Sequence, residues 1–248
     1  MFKEEYDLMF KIEETGWWFS TKRDIVFEQI HKYFSPDQSV RPKILDVGCG
    51  TGIVLSRHSQ MGDAFGVDFQ HEALMATRKR NAGPLTSASA VQLPFKSGSF
   101  DIVTCLDVLY HQNIKSDSDA VSEIFRVLKP GGLFVLTDCA LMSLWGKHDI
   151  AVQAARRYNK PQLQRLVTGA GFKCEKISYM NFILLPFVFA VRKLSNLKPG
   201  PAHSDVKETS PVINTLLKII YGSERFLLRF MNLPLGSSII AVCRKPSA

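Results

Sequence analysis

A strand followed by three alternating glycines constrains the fold of this chain more than any other feature. Residues 44 to 52 read Ile-Leu-Asp-Val-Gly-Cys-Gly-Thr-Gly. The apolar start predicts a buried parallel strand, and Gly48, Gly50 and Gly52 predict the turn into the next helix. Glycine has no β-carbon, so the backbone can bend sharply there and lie directly against a ligand. The three glycines alone leave open a purely structural turn.

A second acidic residue ends the next apolar segment. Asp68 closes Ala64-Phe65-Gly66-Val67-Asp68, a position from which a carboxylate can bind ribose hydroxyls. The glycine spacing is G-x-G-x-G, whereas a dinucleotide-binding turn has G-x-G-x-x-G. The spacing therefore disfavours a nicotinamide-dependent dehydrogenase.

Strand-like and helical segments alternate after residue 42. Strands are predicted near 43–47, 64–68, 84–89, 100–105 and 132–138. Helices are predicted near 53–60, 71–81 and 117–128. This alternation predicts an α/β fold with a parallel sheet covered on both faces.

The two ends of the chain add helices and the last strands. Residues 2–34 have a helical pattern with a break near Thr15-Gly16, and Ser35-Pro36-Asp37 ends it. A helix is predicted from Lys160 to about Gly169, a strand over 172–179 and a final strand over 238–244. We expect an N-terminal helical lid (1–36), a core (37–179), an apolar helical insertion (180–236), and the last core strand with a tail (237–248).

Three further motifs follow the glycine turn in order. They are Leu93-Pro94-Phe95-Lys96-Ser97-Gly98-Ser99-Phe100-Asp101, Leu106-Asp107-Val108-Leu109-Tyr110-His111 and Glu123-Ile124-Phe125-Arg126-Val127-Leu128-Lys129-Pro130-Gly131-Gly132. Together the four motifs resemble class I S-adenosylmethionine-dependent methyltransferases of the type 11 subgroup. The resemblance implies a Rossmann-like sheet of seven mostly parallel strands in the order 3-2-1-4-5-7-6, with an antiparallel last strand. It also implies S-adenosyl-L-methionine as cofactor and S-adenosyl-L-homocysteine as product.

The resemblance assigns roles around the cofactor. Asp68 would bind the ribose, Phe69 would cover the adenine, and Asp46 would face the methionine ammonium group or merely cap the turn. Relatives commonly have Asp four residues before Leu-Pro-Phe, where this chain has Ser89, so its hydroxyl or backbone groups would hold the adenine. The predicted cofactor-binding residues are Asp46, Gly48, Cys49, Gly50, Gly52, Asp68, Phe69, Ser89, Ala90, Leu106 and Asp107.

A narrower resemblance extends beyond the core. Trp17-Trp18-Phe19-Ser20-Thr21-Lys22-Arg23, Leu144-Trp145-Gly146-Lys147-His148-Asp149 and Arg156-Arg157-Tyr158 resemble a bacterial subgroup associated with lipid, glycan and secondary-metabolite pathways. In such folds these segments form a substrate lid over the open end of the sheet. The predicted substrate-binding residues are Trp17, Trp18, Trp145, Asp149, Arg157 and Tyr158. Many relatives have a second His where this chain has Ala154.

Two histidines are candidate catalytic residues. His148 is the preferred general base or ligand of a substrate hydroxyl, and His111, after the fourth strand, is the second candidate. The alternative for His148 is a structural hydrogen bond, and for His111 it is packing at a helix start. Arg156, Arg157 and Tyr158 could hold an anionic group of the substrate, or at least one of them could pair internally with Asp149.

Composition and charge exclude several classes of protein. The formal net charge is +8, but the basic residues are dispersed and no nucleic-acid-binding motif accompanies them, so nucleic acid is disfavoured as a partner. A solvated basic surface or attraction to anionic lipid or a phosphorylated substrate explains the charge. The five scattered cysteines lack a C-x-x-C pair, which predicts a reduced, cytoplasmic protein with no metal site.

The sequence shows no signal-peptide pattern and no segment long and apolar enough to span a membrane. Its most apolar run, residues 182–191, is ten residues long, whereas a bilayer span needs roughly 20. The helix predicted over 213–230 is strongly apolar with basic residues among its leucines, isoleucines and phenylalanines. It either packs against the lid or forms an apolar tunnel or a face for peripheral contact with a membrane.

The leading prediction is an enzyme that methylates a small-molecule acceptor, at a hydroxyl of an apolar, lipid-like or secondary-metabolite compound. Methylation at nitrogen or carbon remains an alternative. So does a catalytically inactive, cofactor-binding partner subunit, because Ser89 and Ala154 depart from the pattern of the relatives.

Overall fold

Among the described residues, 3–35 and 40–247, seven strands form one mixed sheet. The strands are β1 (Lys43–Val47), β2 (Asp63–Asp68), β3 (Leu85–Ser87), β4 (Phe100–Leu106), β5 (Leu128–Cys139), β6 (Lys173–Met180) and β7 (Ser238–Arg244). Their order is β3-β2-β1-β4-β5-β7-β6, and β7 is antiparallel to both of its neighbours. This computed structural model confirms the predicted fold class and strand order.

The described helices cover the sheet and its carboxyl edge. They are α1 (Lys3–Ile12), α2 (Trp17–Tyr33), α3 (Ile53–Met61), α4 (His71–Arg78), α5 (Asp117–Val127), α6 (Lys147–Ala151), α7 (Lys160–Gly169), α8 (Leu185–Leu197) and α9 (Pro211–Phe230). The predicted break near Thr15-Gly16 separates α1 from α2. The predicted lid boundary between residues 36 and 37 lies outside the described residues.

Burial on both faces explains why the central strands are almost continuously apolar. Ile44, Leu45 and Val47 of β1 are buried, as is the first six-residue stretch of β7. A sheet sandwiched between helix layers has no wet face, so its strands need no alternation of polar side chains. The sheet is therefore a rigid platform whose parallel strands end at one edge.

Local backbone features explain the small differences from the predicted boundaries. Helix α4 ends at Arg78, not 81, and Asn81 adopts a positive φ of 52° that a helix cannot contain. Strand β3 spans three residues, not the predicted 84–89. Strand β5 begins earlier than predicted, at Leu128, which pairs with Phe100 before a shift in register.

Helix α9 brings the end of the chain onto the N-terminal helix α2. The rings of Trp18 and Tyr221 stack with centroids 5.4 Å apart, and the backbone N–H of Trp17 donates to Asn214 at 2.7 Å. Arg225 adds an ion pair with Glu28 at 2.5 Å. The two helices together thus form one side of the opening at the carboxyl edge of the sheet.

Candidate functional site

A cavity of about 860 Å³ lies at the carboxyl ends of β1, β2 and β4. Strand-end residues Asp46, Asp68 and Asp107 line it, and so do residues from α1, α2 and the segment before α9. Ligands in open parallel sheets bind at this edge, because the strand-to-helix turns converge there. The cavity is the candidate site.

The glycine turn lies against the cavity because of its backbone conformation. Gly48, Gly50 and Gly52 have φ values of 74°, 55° and 85°, in the left-handed region that favours glycine. A β-carbon on Gly48 would lie 2.3 Å from Cγ2 of Val108, so that position cannot hold a side chain without displacement. Gly50 differs, since its nearest neighbour in that direction is the Met9 Cε atom at 3.8 Å. The turn therefore presents bare backbone to the cavity at Gly50.

Asp68 fixes this turn and faces the same cavity. Its Oδ2 accepts a hydrogen bond from the Gly50 N–H at 2.9 Å, and its Oδ1 accepts one from the Gln70 N–H at 2.8 Å. Burial raises the pKa of the Asp68 carboxyl, against the lowering effect of these backbone donors. A carboxylate oxygen has more than one lone pair. Each oxygen can thus still accept a ligand hydroxyl.

Asp46 is a buried acid with one protein donor. Its Oδ1 accepts from the Thr104 hydroxyl at 2.7 Å, and burial raises its pKa to about 7. A nearby cation favours the ionised form of such a carboxyl. Asp46 is accordingly suited to facing an ammonium group.

All of the predicted cofactor-binding residues except Gly52 line the cavity. Gly52 instead begins α3, with Thr77 packed against its α-carbon, so its role is in the turn. Phe69 lies at the opening with 62% of its surface exposed, and Ser89 and Ala90 lie on the cavity wall. The Ser89 hydroxyl accepts a weak hydrogen bond from the Val91 N–H at 3.4 Å.

Helix α1 covers the glycine turn. Glu13 accepts a short hydrogen bond from the Thr51 hydroxyl and pairs with Arg80 at 2.8 Å. Arg80 in turn donates to the carbonyl of Thr51 at 3.0 Å. These side chains are buried, and the predicted N-terminal lid is therefore joined to the turn that forms the floor of the cavity.

Sequence reasoning missed Lys22 as a site residue. Its Nζ lies 2.5 Å from both carboxylate oxygens of Asp107, although only 8% of the lysine side chain is exposed. Both residues line the cavity, and Nζ also lies 5.4 Å from the Trp18 ring centre. The lysine belongs to the Trp17-to-Arg23 motif, so the signal was present, but its partner is 85 residues away.

The two candidate histidines line the cavity, and each has Nδ1 occupied. His148 Nδ1 accepts the Asp205 backbone N–H at 2.9 Å, and His111 Nδ1 accepts the Asn113 N–H at 3.2 Å. Burial, with nearby Arg192, lowers the pKa of His148 to about 4; burial also lowers that of His111. Both rings are thus neutral near pH 7, and the proton lies on Nε2. In this arrangement His148 can donate from Nε2, while its Nδ1 is already occupied. Its role as general base or as ligand of a substrate hydroxyl stays a prediction.

The predicted substrate residues divide into two groups. Trp17, Trp18 and Arg157 line the cavity, whereas Trp145, Asp149 and Tyr158 do not. The Tyr158 hydroxyl donates to Asp117 at 2.9 Å, and the Trp145 carbonyl accepts from Asn196 at 3.1 Å. The contact of Tyr158 turns its side chain towards Asp117, and that of Trp145 holds its backbone.

Asp149 is held in a buried ion pair. Its carboxylate accepts from Arg157 Nε at 2.8 Å and from the Gly146 N–H at 2.9 Å. Neither side chain is more than 1% exposed. The interpretation that one arginine pairs internally with Asp149 is confirmed, so Arg157 is largely satisfied before any substrate binds.

The insertion contributes Arg192, a second residue that sequence reasoning missed. Its Nη2 pairs with Asp205 at 3.1 Å, and its Nη1 donates to the Leu144 carbonyl at 3.0 Å. Its Nε is buried without a partner among the described residues. Its position directly after the apolar run of residues 182–191 gave no sign that this side chain points into the protein.

No group of three or more His, Cys, Asp or Glu side chains with the arrangement of a metal site was found within 3–35 and 40–247. Within the same ranges, no helix combines the length and apolar character that crossing a bilayer requires.

Comparison with known proteins places this geometry in context. Residues 45–136 match the family model described as a methyltransferase domain. A demethylmenaquinone methyltransferase of Symbiobacterium thermophilum is 34% identical over 150 residues, 55% of this chain and 55% of that protein. The protein of the same name from Staphylococcus aureus (strain MRSA252) is 37% identical over 134 residues, 48% of this chain and 54% of its own. The chain thus spans about half the length of these relatives.

Solved structures share the fold at low identity. A Thermotoga maritima S-adenosylmethionine-dependent methyltransferase, described as a possible histamine N-methyltransferase, has a TM-score of 0.60 at 18% identity, covering 98% of this chain and 95% of that one. Haemonchus contortus phosphoethanolamine N-methyltransferase 2, solved with S-adenosyl-L-methionine, has a TM-score of 0.57 at 20% identity, covering 89% and 52%. At such identities the likeness concerns the fold alone.

Proposed function

We propose that this chain, whose residues 45–136 match a methyltransferase domain, is a class I S-adenosylmethionine-dependent methyltransferase that transfers the methyl group of its cofactor to an apolar, quinone-like small molecule. One observation carries the proposal. The cavity joins the bare glycine turn and its acids at one end to the aromatic side chains of α2 at the other. A single cavity of this kind can hold a nucleoside cofactor and an apolar acceptor side by side.

The cofactor's sulfonium supplies an already activated methyl group, so the protein mainly has to bind and orient. We infer that Asp68 accepts the ribose hydroxyls and that Asp46 faces the methionine ammonium group. Phe69 and Ala90 flank the position expected for the adenine. Ser89 stands in for the aspartate common in relatives, and its hydroxyl can meet an adenine amino or ring nitrogen.

The acceptor would occupy the part of the cavity beside α2. Trp17 and Trp18 meet edge to face with ring centroids 5.7 Å apart, and Val188 of α8 lies on the same cavity wall. Such surfaces bind flat apolar rings well. Two relatives are named demethylmenaquinone methyltransferases, which supports an acceptor of quinone-like character.

Polar groups would orient the acceptor atom. His148 is neutral and carries its proton on Nε2, so we infer that it donates to an oxygen of the acceptor and holds that oxygen beside the methyl group. Removing the proton from His148 is not required for this role. In methylation of a hydroxyl, the S–CH3 bond of the cofactor would break, the O–CH3 bond would form and the hydroxyl proton would pass to water, because His148 Nδ1 is already occupied. Methylation at carbon or nitrogen is distinguished from this by the product.

The test is an assay with labelled methyl donor and a matched panel of acceptors: an apolar naphthoquinol, a short polar phenol and an amine. We expect methylation of the apolar compound, at an oxygen that mass spectrometry identifies. Trp18→Ala should raise the Michaelis constant for the acceptor by about 2- to 12-fold, since an aromatic contact contributes roughly 0.5–1.5 kcal/mol. Trp145→Ala is the matched control, because Trp145 lies outside the cavity. Faster methylation of the polar acceptors would overturn the assignment of acceptor class.

Peripheral contact with a membrane, which would bring an apolar acceptor to the cavity, belongs to the same proposal. The apolar character of α8 and α9 supports it.

A further inference from the structure

The outward face of α9 is as apolar as its inward face. Tyr221 and Leu228 are buried against the rest of the chain, as expected for a surface helix. The opposite stripe is also apolar, with exposed fractions between 55% and 80% for Val212, Leu216, Ile219, Phe226 and Phe230. Their spacing of three, four or seven residues places them on one face. A helix that is apolar all round normally has no face in water.

Helix α8 exposes apolar side chains and turns a charged one inward, the reverse of the usual arrangement of a surface helix. Its charged Arg192 points into the protein, where it meets Leu144 and Asp205. Phe187, Leu194 and Leu197 point outward with 62%, 61% and 81% of their surfaces exposed. None of the residues of α8 is fully buried. The apolar side chains of this helix therefore need an apolar surface outside the chain.

The charges on these two helices have one sign. They contain five basic residues, Arg192, Lys193, Lys218, Arg225 and Arg229, and one acidic residue, Glu224. Glu224 is fully buried and accepts the backbone N–H groups of Asn181 and Ile183 at 2.7 and 2.8 Å. Arg192 points inward to Asp205, and Arg225 and Arg229 pair with Glu28 of α2. The outward faces of α8 and α9 therefore present apolar groups together with Lys193 and Lys218.

We propose that α8 and α9 dock the chain on a bilayer surface that contains anionic lipid. Apolar side chains would enter the acyl boundary, and Lys193 and Lys218 would lie at the headgroups. This inference deepens the membrane contact of the proposed function by assigning its surface and the charge of its lipid. A second copy of the chain fits less well, because a two-fold interface would place Lys193 and Lys218 against the same two helices, whose one carboxylate, Glu224, is buried.

The position of the cavity agrees with this orientation. Val188 and Arg192 of α8 and Pro211 and Asn214 of α9 line the cavity as well as belonging to the docking helices. An apolar acceptor dissolved in the bilayer would reach the cavity between these helices without crossing water. The docking surface and the acceptor half of the cavity are thus parts of one feature.

Flotation with lipid vesicles tests the apolar part of the surface. The whole chain should bind vesicles of phosphatidylcholine with phosphatidylglycerol and bind pure phosphatidylcholine far less. Phe226→Ser with Phe230→Ser should reduce binding to vesicles at least tenfold, because each change removes aromatic surface that the bilayer would bury. The control pair is Val40→Ser with Met75→Ser, which removes exposed apolar residues (65% and 45%) outside α8 and α9 and should change binding less than twofold.

A second pair of variants tests the charge. Lys193→Gln with Lys218→Gln should weaken binding by about fivefold per lysine, the effect expected of one basic residue near an anionic surface. Lys96→Gln with Lys115→Gln lowers the net charge equally at exposed sites outside both helices, and should have a smaller effect. Equal loss of vesicle binding in both pairs would mean that the attraction depends only on net charge, and it would overturn the assigned surface.

Two further measurements separate this inference from the proposed function. Thermal unfolding shows that each variant folds, and S-adenosylhomocysteine binding shows whether its cavity is intact; we expect neither to change. Absence of vesicle binding by the unaltered chain, or equal binding to neutral and anionic vesicles, would overturn the docking proposal while leaving methyl transfer untouched. A stable dimer that hides α9 would also overturn it.

Discussion

Replacing Asp68 with asparagine tests the cofactor half of the cavity at its most constrained acid. The two carboxylate oxygens accept the N–H groups of Gly50 and Gln70, and both can still accept a ligand hydroxyl. Asparagine keeps one oxygen and places an NH₂ group where the other was, so one backbone donor faces another donor. The variant loses the charge and one acceptor while keeping the shape.

The expected effect on binding follows from the loss of charge-assisted hydrogen bonds. Such a bond contributes roughly 1.5–3 kcal/mol, so Asp68→Asn should weaken S-adenosylhomocysteine binding about 10- to 150-fold. The stability should fall less, by about 1 kcal/mol, because removing a buried charge offsets part of the lost bonding.

Titration calorimetry gives the affinity, and urea unfolding gives the stability. Asp63→Asn is the matched control at the opposite end of β2, where a half-exposed carboxylate pairs with Arg41 at 3.3 Å. It should change the affinity less than twofold. An Asp68→Asn variant that folds and binds within twofold of the unaltered chain would remove Asp68 from the site and refute the reasoning.

Three further predictions concern single residues. His148→Ala should lower turnover with little effect on S-adenosylhomocysteine affinity. The activity of the unaltered chain should show no inflection near pH 6.5, because burial lowers the pKa of His148 to about 4. An inflection near pH 6.5 that the variant abolishes would contradict this. Gly48→Ala should destabilise the fold by about 2–4 kcal/mol, since its β-carbon would lie 2.3 Å from Val108 Cγ2. The control Gly98→Ala has a similar φ and no atom within 4 Å of the new β-carbon, so it should cost only about 1 kcal/mol. Equal losses of unfolding free energy in urea would show that the close approach is unimportant. Burial lowers the pKa of His58 to about 3, so below pH 6.5 the unfolded chain binds a proton that the folded chain does not. The contribution of neutral His58 to the free energy of unfolding is complete above pH 6.5 and falls with pH, by about 2 kcal/mol at pH 5. His58→Gln should not show that loss, which denaturation at pH 7.5 and 5 can check.

Much of the framework was predictable because it depends on local signals. Apolar runs bounded by glycines predicted most strands and helices to within a few residues, and the positive φ values of the glycine turn explain why glycine stands there. The strand order came from the resemblance of the four motifs, not from periodicity. The residues that line the cavity beside the glycine turn were predictable for the same reason, since each lies at a strand end or turn.

The rest depends on contacts between distant segments. No local sequence pattern indicates that Lys22 pairs with Asp107, and none indicates that Arg192, next to an apolar run, points inward. A motif such as Arg156-Arg157-Tyr158 indicates proximity to a site but not the direction of each side chain. In the structure Tyr158 faces Asp117 instead of the cavity. Periodicity likewise showed that α9 is apolar, but it could not show which of its apolar side chains the described part of the chain leaves exposed.

Transfer of a labelled methyl group tests the central claim most directly. The purified chain is incubated with S-adenosylmethionine labelled in its methyl group and an apolar naphthoquinol, and the organic extract is counted and analysed by mass. The account predicts that label enters the apolar compound with one S-adenosylhomocysteine formed per methyl transferred, and that Asp68→Asn slows transfer at limiting cofactor. Tight binding of S-adenosylmethionine without label in any acceptor of the panel would contradict it and would favour a cofactor-binding partner subunit.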